Sequence, residues 1–138
     1  MQFQSIQLRR EMRQNQNTIM LQLRQINARL WNQQAANLNR LCIHADSQAA
    51  IALRAFQKVN PGIGAGLPGV GIPRRLLPVL NVGDVVPAPF FPADWSVLGS
   101  WQHADINALS IILNDNFGIT RKEPLHILRE RLRHFLTS

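Results

Sequence analysis

The first sixty residues contain no glycine and no proline, although the chain of 138 residues has eight of each. These two residues disfavour a helix interior by about 1 and about 3 kcal/mol relative to alanine. Thirteen of the sixteen lie within 61–92, so any helix that precedes this stretch ends there. The distribution predicts a mainly α protein in three parts. These are a long helical oligomerisation arm over 1–60, a Pro/Gly-rich connector over 61–92 with an extended Phe-Pro segment, and a C-terminal helix–turn–helix pair over 93–138.

Cysteines and long apolar runs are also scarce. The single cysteine, Cys42, excludes an intramolecular disulfide and a zinc site built from several cysteines. No run of about 18 apolar residues is present, so we expect no membrane span. The N-terminus shows no secretory signal pattern, and together with the single cysteine this predicts an intracellular protein, cytoplasmic or nuclear.

The sequence offers few candidates for catalysis. The close pairings of reactive residue types are Cys42 with His44 and His103 with Asp105. Residues two apart on a helix point about 200° away from each other, so neither pair converges on one site. We therefore expect a protein that is not an enzyme, with no catalytic, metal-binding or cofactor-binding residues.

Positive charge is concentrated at the two ends of the chain. The formal net charge is +7. Residues 1–60 hold eight Arg or Lys against two acidic residues, and residues 121–138 hold five against two, whereas the middle is near neutral. This excess favours contact with a polyanion, which could be nucleic acid, an anionic membrane surface or an acidic protein partner.

The apolar residues of the arm recur with helical spacing. From Met12 to Leu30 they follow mostly the three-four rhythm of a coiled-coil seam, and after Leu30 the steps approach an eleven-residue period. We expect the arm to form a homo-oligomer; a break at Thr18, or at Asp46 or Ser47, would instead allow an intrachain bundle. The predicted oligomer interface comprises Met12, Ile19, Leu23, Ile26, Leu30, Leu38, Leu41, Ala45, Ala49, Ala52 and Phe56.

Two further patterns in the first half match known motifs only in part. Asn32, Ala35, Ala36 and Arg40 have the spacing of a bZIP basic region, but few basic neighbours surround them and no leucine heptads follow. The glycine run within 61–71 has the spacing of a dinucleotide-binding loop, yet it follows a helix rather than a strand. We interpret the first as a packing feature and the second as a linker.

The C-terminal part predicts two helices. The first spans 102–117 and ends at Gly118, which can adopt a left-handed cap. Thr120 and Glu123 have the spacing of a capping box for the second helix, with Pro124 in its first turn. The second helix is basic, and its predicted polyanion contacts are Arg121, Lys122, Arg129, Arg131 and Arg133.

Residues 106–135 resemble a known nucleic-acid-binding module. Gly118-Ile119, followed ten residues after Gly118 by Leu128-Arg-Glu-Arg131-Leu132, is similar to the SAP module, a helix–extended–helix unit. The resemblance implies contact with DNA phosphates through the basic second helix. The order of segments along the whole chain is also similar to that of uncharacterised fungal proteins, and this resemblance implies no activity. The sequence thus predicts a self-associating binding or scaffold protein, with DNA binding as the alternative.

Overall fold

The fold is mainly helical, as the sequence predicts. A computed structural model describes residues 2–43, 52–69 and 76–138. Within these residues the helices are α1 (Gln2–Ile43), α2 (Trp95–Ser100), α3 (His103–Leu113) and α4 (Leu125–Thr137), with a 3-10 turn at Ala88–Phe90. The described ranges contain no strand, only an isolated antiparallel bridge between Gln57 and Val85.

Helix α1 ends earlier than the sequence predicts. Its 42 residues measure about 63 Å, but it stops at Ile43 and residues 52–60 are not helical. The absence of breakers permitted a longer helix without requiring one. Residues 53–59 instead follow an extended path back along α1, where α1 side chains bind their backbone.

Two asparagines of α1 hold this returning segment. The Asn32 side chain accepts from the Gln57 backbone N–H at 2.7 Å and donates to the Gln57 carbonyl at 2.8 Å. Asn39 binds the backbone N–H and carbonyl of Arg54 in the same way, at 2.8 and 3.3 Å. The two asparagines are seven residues apart on the helix, a rise of about 10.5 Å. Their partners are three residues apart in the extended segment, a span of about 10 Å, so the two spacings match.

The other edge of the returning segment pairs with residues 83–86. Val86 N–H donates to the Phe56 carbonyl at 3.0 Å, and Lys58 N–H donates to the Asp84 carbonyl at 2.9 Å. Gly83 N–H completes the ladder by donating to the Lys58 carbonyl at 2.8 Å. The segment thus lies between a β-like ladder on one side and helix amide side chains on the other.

The core forms where α3 and α4 pack against α1, the returning segment and residues 83–86. Every residue of α3 from Ile106 to Leu113 is buried, and α4 contributes Leu128, Leu132 and Leu136. Four aromatic rings join the layers, with centroid separations of 4.7 to 6.1 Å. They belong to Phe56, Phe91, Phe117 and Phe135. Phe91, from the predicted Phe-Pro segment, is therefore part of the chain's own core.

The glycine-rich connector packs closely on α3. Gly64 N–H donates to the Ile111 carbonyl at 2.9 Å, and Leu67 N–H donates to the Asn107 side-chain oxygen at 2.7 Å. A Cβ at Gly66, whose φ is +89°, would lie 2.9 Å from that oxygen. The glycines thus let a backbone approach a helix, and the segment is an ordered strap over 61–69 rather than a free linker.

The caps of α3 and α4 differ from those predicted. Helix α3 ends at Leu113, because Asn114 takes the left-handed conformation (φ 50°) before Gly118 is reached. Its N-terminus is closed by Asp105, whose carboxylate accepts from the Gln102 N–H at 2.9 Å. Helix α4 begins after Pro124 without a side-chain cap, because the proline ring has no acceptor atom; Glu123 precedes the helix, and its carboxylate is bound to Arg131.

Candidate interaction surfaces

The N-terminal half of α1 exposes its apolar side chains. Every residue over 4–24 is exposed. Within and just beyond this stretch lie five of the predicted interface residues, whose exposed fractions range from 49% for Ile26 to 61% for Met12. We call these five the back stripe: Met12, Ile19, Leu23, Ile26 and Leu30.

The back stripe points away from the rest of the molecule. A second set of α1 residues, the body face, packs against the returning segment and α4; it consists of Ala28, Asn32, Ala35, Asn39 and Cys42. At 100° per residue the centres of the two sets lie about 170° apart around the helix. Ala28 and Ala35 are fully buried, whereas Leu30 is 54% exposed. The body of the molecule therefore cannot cover the back stripe.

The rest of the predicted interface divides into three groups. Leu38 and Leu41 remain exposed on α1. At 100° per residue Leu41 lies in line with the back stripe, whereas Leu38 lies about 90° from its centre. Ala45 and Ala49 lie outside the described residues. Ala52 is exposed but is not helical, and Phe56 is buried in the chain's own core at 4% exposure. The predicted interface is therefore wrong at Phe56, because α1 ends at Ile43 and the Phe56 ring packs in the chain's own core.

The bZIP-like spacing also serves the chain's own packing. Asn32 and the buried alanines Ala35 and Ala36 let the returning segment approach α1 closely. Arg40 donates from Nε and Nη2 to the Thr137 carbonyl at 2.9 and 2.7 Å, which caps the C-terminus of α4. These residues therefore pack and form hydrogen bonds within the chain.

Most of the five residues predicted to contact a polyanion make contacts within the chain. The Arg131 guanidinium lies 3.2 Å from the Glu123 carboxylate, and Arg121 lies 3.9 Å from the same group. Arg129 donates to the Trp101 carbonyl at 2.9 Å, and the Arg133 guanidinium lies 5.3 Å from the centre of the Trp95 ring. Arg121, with 84% of its side chain exposed, and the exposed Lys122 are the most accessible cations of the set.

One charged residue that the sequence did not single out is buried. Lys58 is 2% exposed, and its ammonium donates to the carbonyl of Gly62 at 2.7 Å and to that of Ile112. Burial lowers the pKa of the Lys58 ammonium. Within the sequence Lys58 looks like one more solvated charge on the arm, and no periodicity could have identified it. Its place against the last turn of α3 makes it a structural cation.

A cavity of about 470 Å³ opens between α1, the returning segment and the ends of α3 and α4. Its lining includes Asn32, Phe56, Asp115 and Phe135. The amide of Asn32 is used by Gln57, and the Asp115 carboxylate accepts from the Phe117 N–H at 2.9 Å. Both of these polar groups thus have hydrogen-bond partners within the chain.

The described ranges contain no group of three or more His, Cys, Asp or Glu side chains placed to hold a metal ion. Among those same residues, no helix is both long enough and apolar enough to cross a membrane.

Comparison with protein-family models, with curated proteins and with solved structures finds no match. The SAP resemblance of residues 106–135 therefore stays a prediction.

Proposed function

We propose that this protein is a non-enzymatic binding or scaffold protein that self-associates through α1. The observation that carries the proposal is the back stripe, which is exposed on the side of the helix opposite the body face. A partner can thus cover the back stripe without displacing any contact of the body face. The C-terminal basic surface is then available for an acidic partner.

Association would stabilise the exposed N-terminal half of α1. Most helical stability in proteins comes from tertiary packing of an apolar face rather than from intrinsic helix propensity. Residues 4–24 are rich in Gln and Asn, and all of them are exposed rather than packed against the other residues that the structure describes. Complete burial of a Leu, Ile or Met side chain contributes about 1.5–3 kcal/mol, and the back-stripe residues are about half exposed. Each one would therefore gain about half that amount from a partner.

A charge placed in the back stripe tests the proposal. We expect Leu23→Arg to convert an oligomer into a monomer of 15.6 kDa in light scattering, because arginine would be buried among apolar side chains. Gln14→Arg is the matched control, since it adds the same charge at an exposed position outside the stripe. A monomeric wild-type chain at micromolar concentration, or equal masses for the two variants, would contradict the proposal.

Nucleic-acid binding by the C-terminal surface is the second candidate. It is supported by the exposure of Arg121 and Lys122 beside the basic helix α4. Because phosphate contacts release counterions, affinity for duplex DNA should fall steeply with salt. The double variant Arg121→Gln, Lys122→Gln should bind more weakly and with a shallower salt slope, whereas Arg10→Gln on α1 should leave both unchanged. Salt-independent binding would exclude phosphate contact.

A further inference from the structure

We infer that the partner of the back stripe is the same chain, in a parallel and in-register bundle of three or four α1 helices. This inference rests on the proposed function and specifies its geometry. The partner's identity, the direction of the helices and their number follow from four features of α1.

The first feature is the position of the body around the helix. When Leu23 and Leu30 are assigned to heptad position a, the residues Met12, Ile19 and Ile26 fall on d. The buried Ala28 and Ala35 then fall on f, the position that faces outward in a coiled coil. Each chain's body therefore lies on the outside of a bundle, and several copies can associate without collision between their bodies.

The second feature is the choice of residues in the seam. Leucine at a with isoleucine at d shifts parallel coiled coils from two strands to three or four. Positions g and e beside the seam include Leu8 and Met20, which are 59% and 52% exposed. These side chains widen the apolar surface beyond the seam of a two-helix coil. Both observations favour more than two helices.

The third feature is the polar residue Gln16, which occupies position a one heptad before Leu23. In parallel helices in register, Gln16 meets its own copies, and the amides can bind one another. In an antiparallel pair with Ile19 opposite Leu23, Gln16 would face Ile26 and leave its amide unpaired at a cost. Arg9 and Asn37 also fall on a, nearer the two ends of the helix, and a buried polar residue at this position is a recognised determinant of register.

The fourth feature is the charge beside the seam. In a parallel arrangement the facing g and e residues of neighbouring helices are Leu8 with Arg13, Asn15 with Met20, Gln22 with Asn27 and Arg29 with Gln34, so no pair of like charges faces across the flanks. The arginines Arg9, Arg10 and Arg13 would gather at one end of the bundle, where Arg9, which falls on position a, would meet its own copies. Salt should therefore strengthen the assembly by screening them.

Spin-label distances separate the two orientations. A nitroxide on Ser5→Cys, in a Cys42→Ser background, lies at the same end of every helix in a parallel bundle, within about two helix diameters or 20–24 Å. In the antiparallel pair Ser5 would lie opposite Asn37, so the labels would be about 48 Å apart along the axis. Leu21→Cys is the matched control, because both arrangements bring this central position close to its copy.

The expected result is a mass of three or four chains with short distances from both labels. A dimeric mass, or a long Ser5 distance with a short Leu21 distance, would overturn this inference and leave self-association intact. A monomeric mass would overturn the proposed function itself. The failures of the two claims are therefore distinguishable in the same samples.

Discussion

At the scale of single residues, Lys58 has the least ordinary environment. Its ammonium is buried and donates to two carbonyls, one of them in the last turn of α3, where the helix dipole favours a positive charge. Removal of this donor would leave the buried carbonyl of Ile112 without this partner. Lys58→Met should therefore lower the free energy of unfolding by about 1–3 kcal/mol in urea denaturation at pH 7.

The same residue predicts a pH dependence. Because burial lowers the pKa of Lys58 in the folded chain, the unfolded chain binds more protons between that lowered pKa and the ordinary value of 10.5. The free energy of unfolding should therefore rise with pH through this window. The chain has no tyrosine, so few other groups titrate there. Urea denaturation at pH 8 and 10 should show this rise in the wild type and in the exposed control Lys122→Met, and Lys58→Met should lack it.

Asn39 is a second buried polar residue, and it binds the returning segment to α1. It is fully buried and binds the backbone of Arg54 twice and the Leu136 carbonyl once. Asn39→Ala should lower the free energy of unfolding by about 2–4 kcal/mol, because more than one buried backbone group loses its partner. The exposed Asn37→Ala should change it by less than about 0.5 kcal/mol. Equal effects in thermal denaturation would show that Asn39 does not hold the returning segment.

At the scale of elements, one glycine substitution in the strap over α3 and one in α2 should change the free energy of unfolding in opposite directions. Gly66→Ala should lower the free energy of unfolding by more than about 1 kcal/mol, because φ is positive and the Cβ would meet Asn107. Gly99→Ala, within α2 and with open space around its Cβ, should raise the free energy of unfolding by about 0.5–1 kcal/mol. Chemical denaturation measures both. A free linker would tolerate Gly66→Ala without loss.

Helix α1 is best understood as two elements joined end to end. Over 4–24 it is exposed on all sides, and over 25–43 one face is built into the body. Gln25 marks the change, since its amide donates to the Val59 carbonyl at 3.2 Å. An uninterrupted helix therefore connects the region proposed for assembly to the folded body.

At the scale of the whole molecule, this division predicts the effect of a truncation. A chain that starts at residue 25 keeps the body face, so its far-ultraviolet spectrum should retain the helical signal of the body. It should also be monomeric, and its unfolding midpoint should no longer depend on protein concentration, whereas that of the full chain should. Sedimentation and thermal scans over a tenfold range of concentration measure both properties. Persistent assembly of the truncated chain would place the interface elsewhere.

The sequence by itself determined the helical class, the position of the breaker-rich connector and the apolar periodicity of Met12 to Leu30. These depend on local propensity and on spacing along one helix, both of which are properties of the chain alone. Only the tertiary structure decided that α1 stops at Ile43, that Phe56 belongs to the core and that Glu123 binds Arg131 instead of capping α4. Each of these outcomes depends on residues distant in sequence that compete for the same group, such as Asn39 for the backbone of Arg54. The physical reason is that propensity permits several local structures, and long-range hydrogen bonds and packing select one of them.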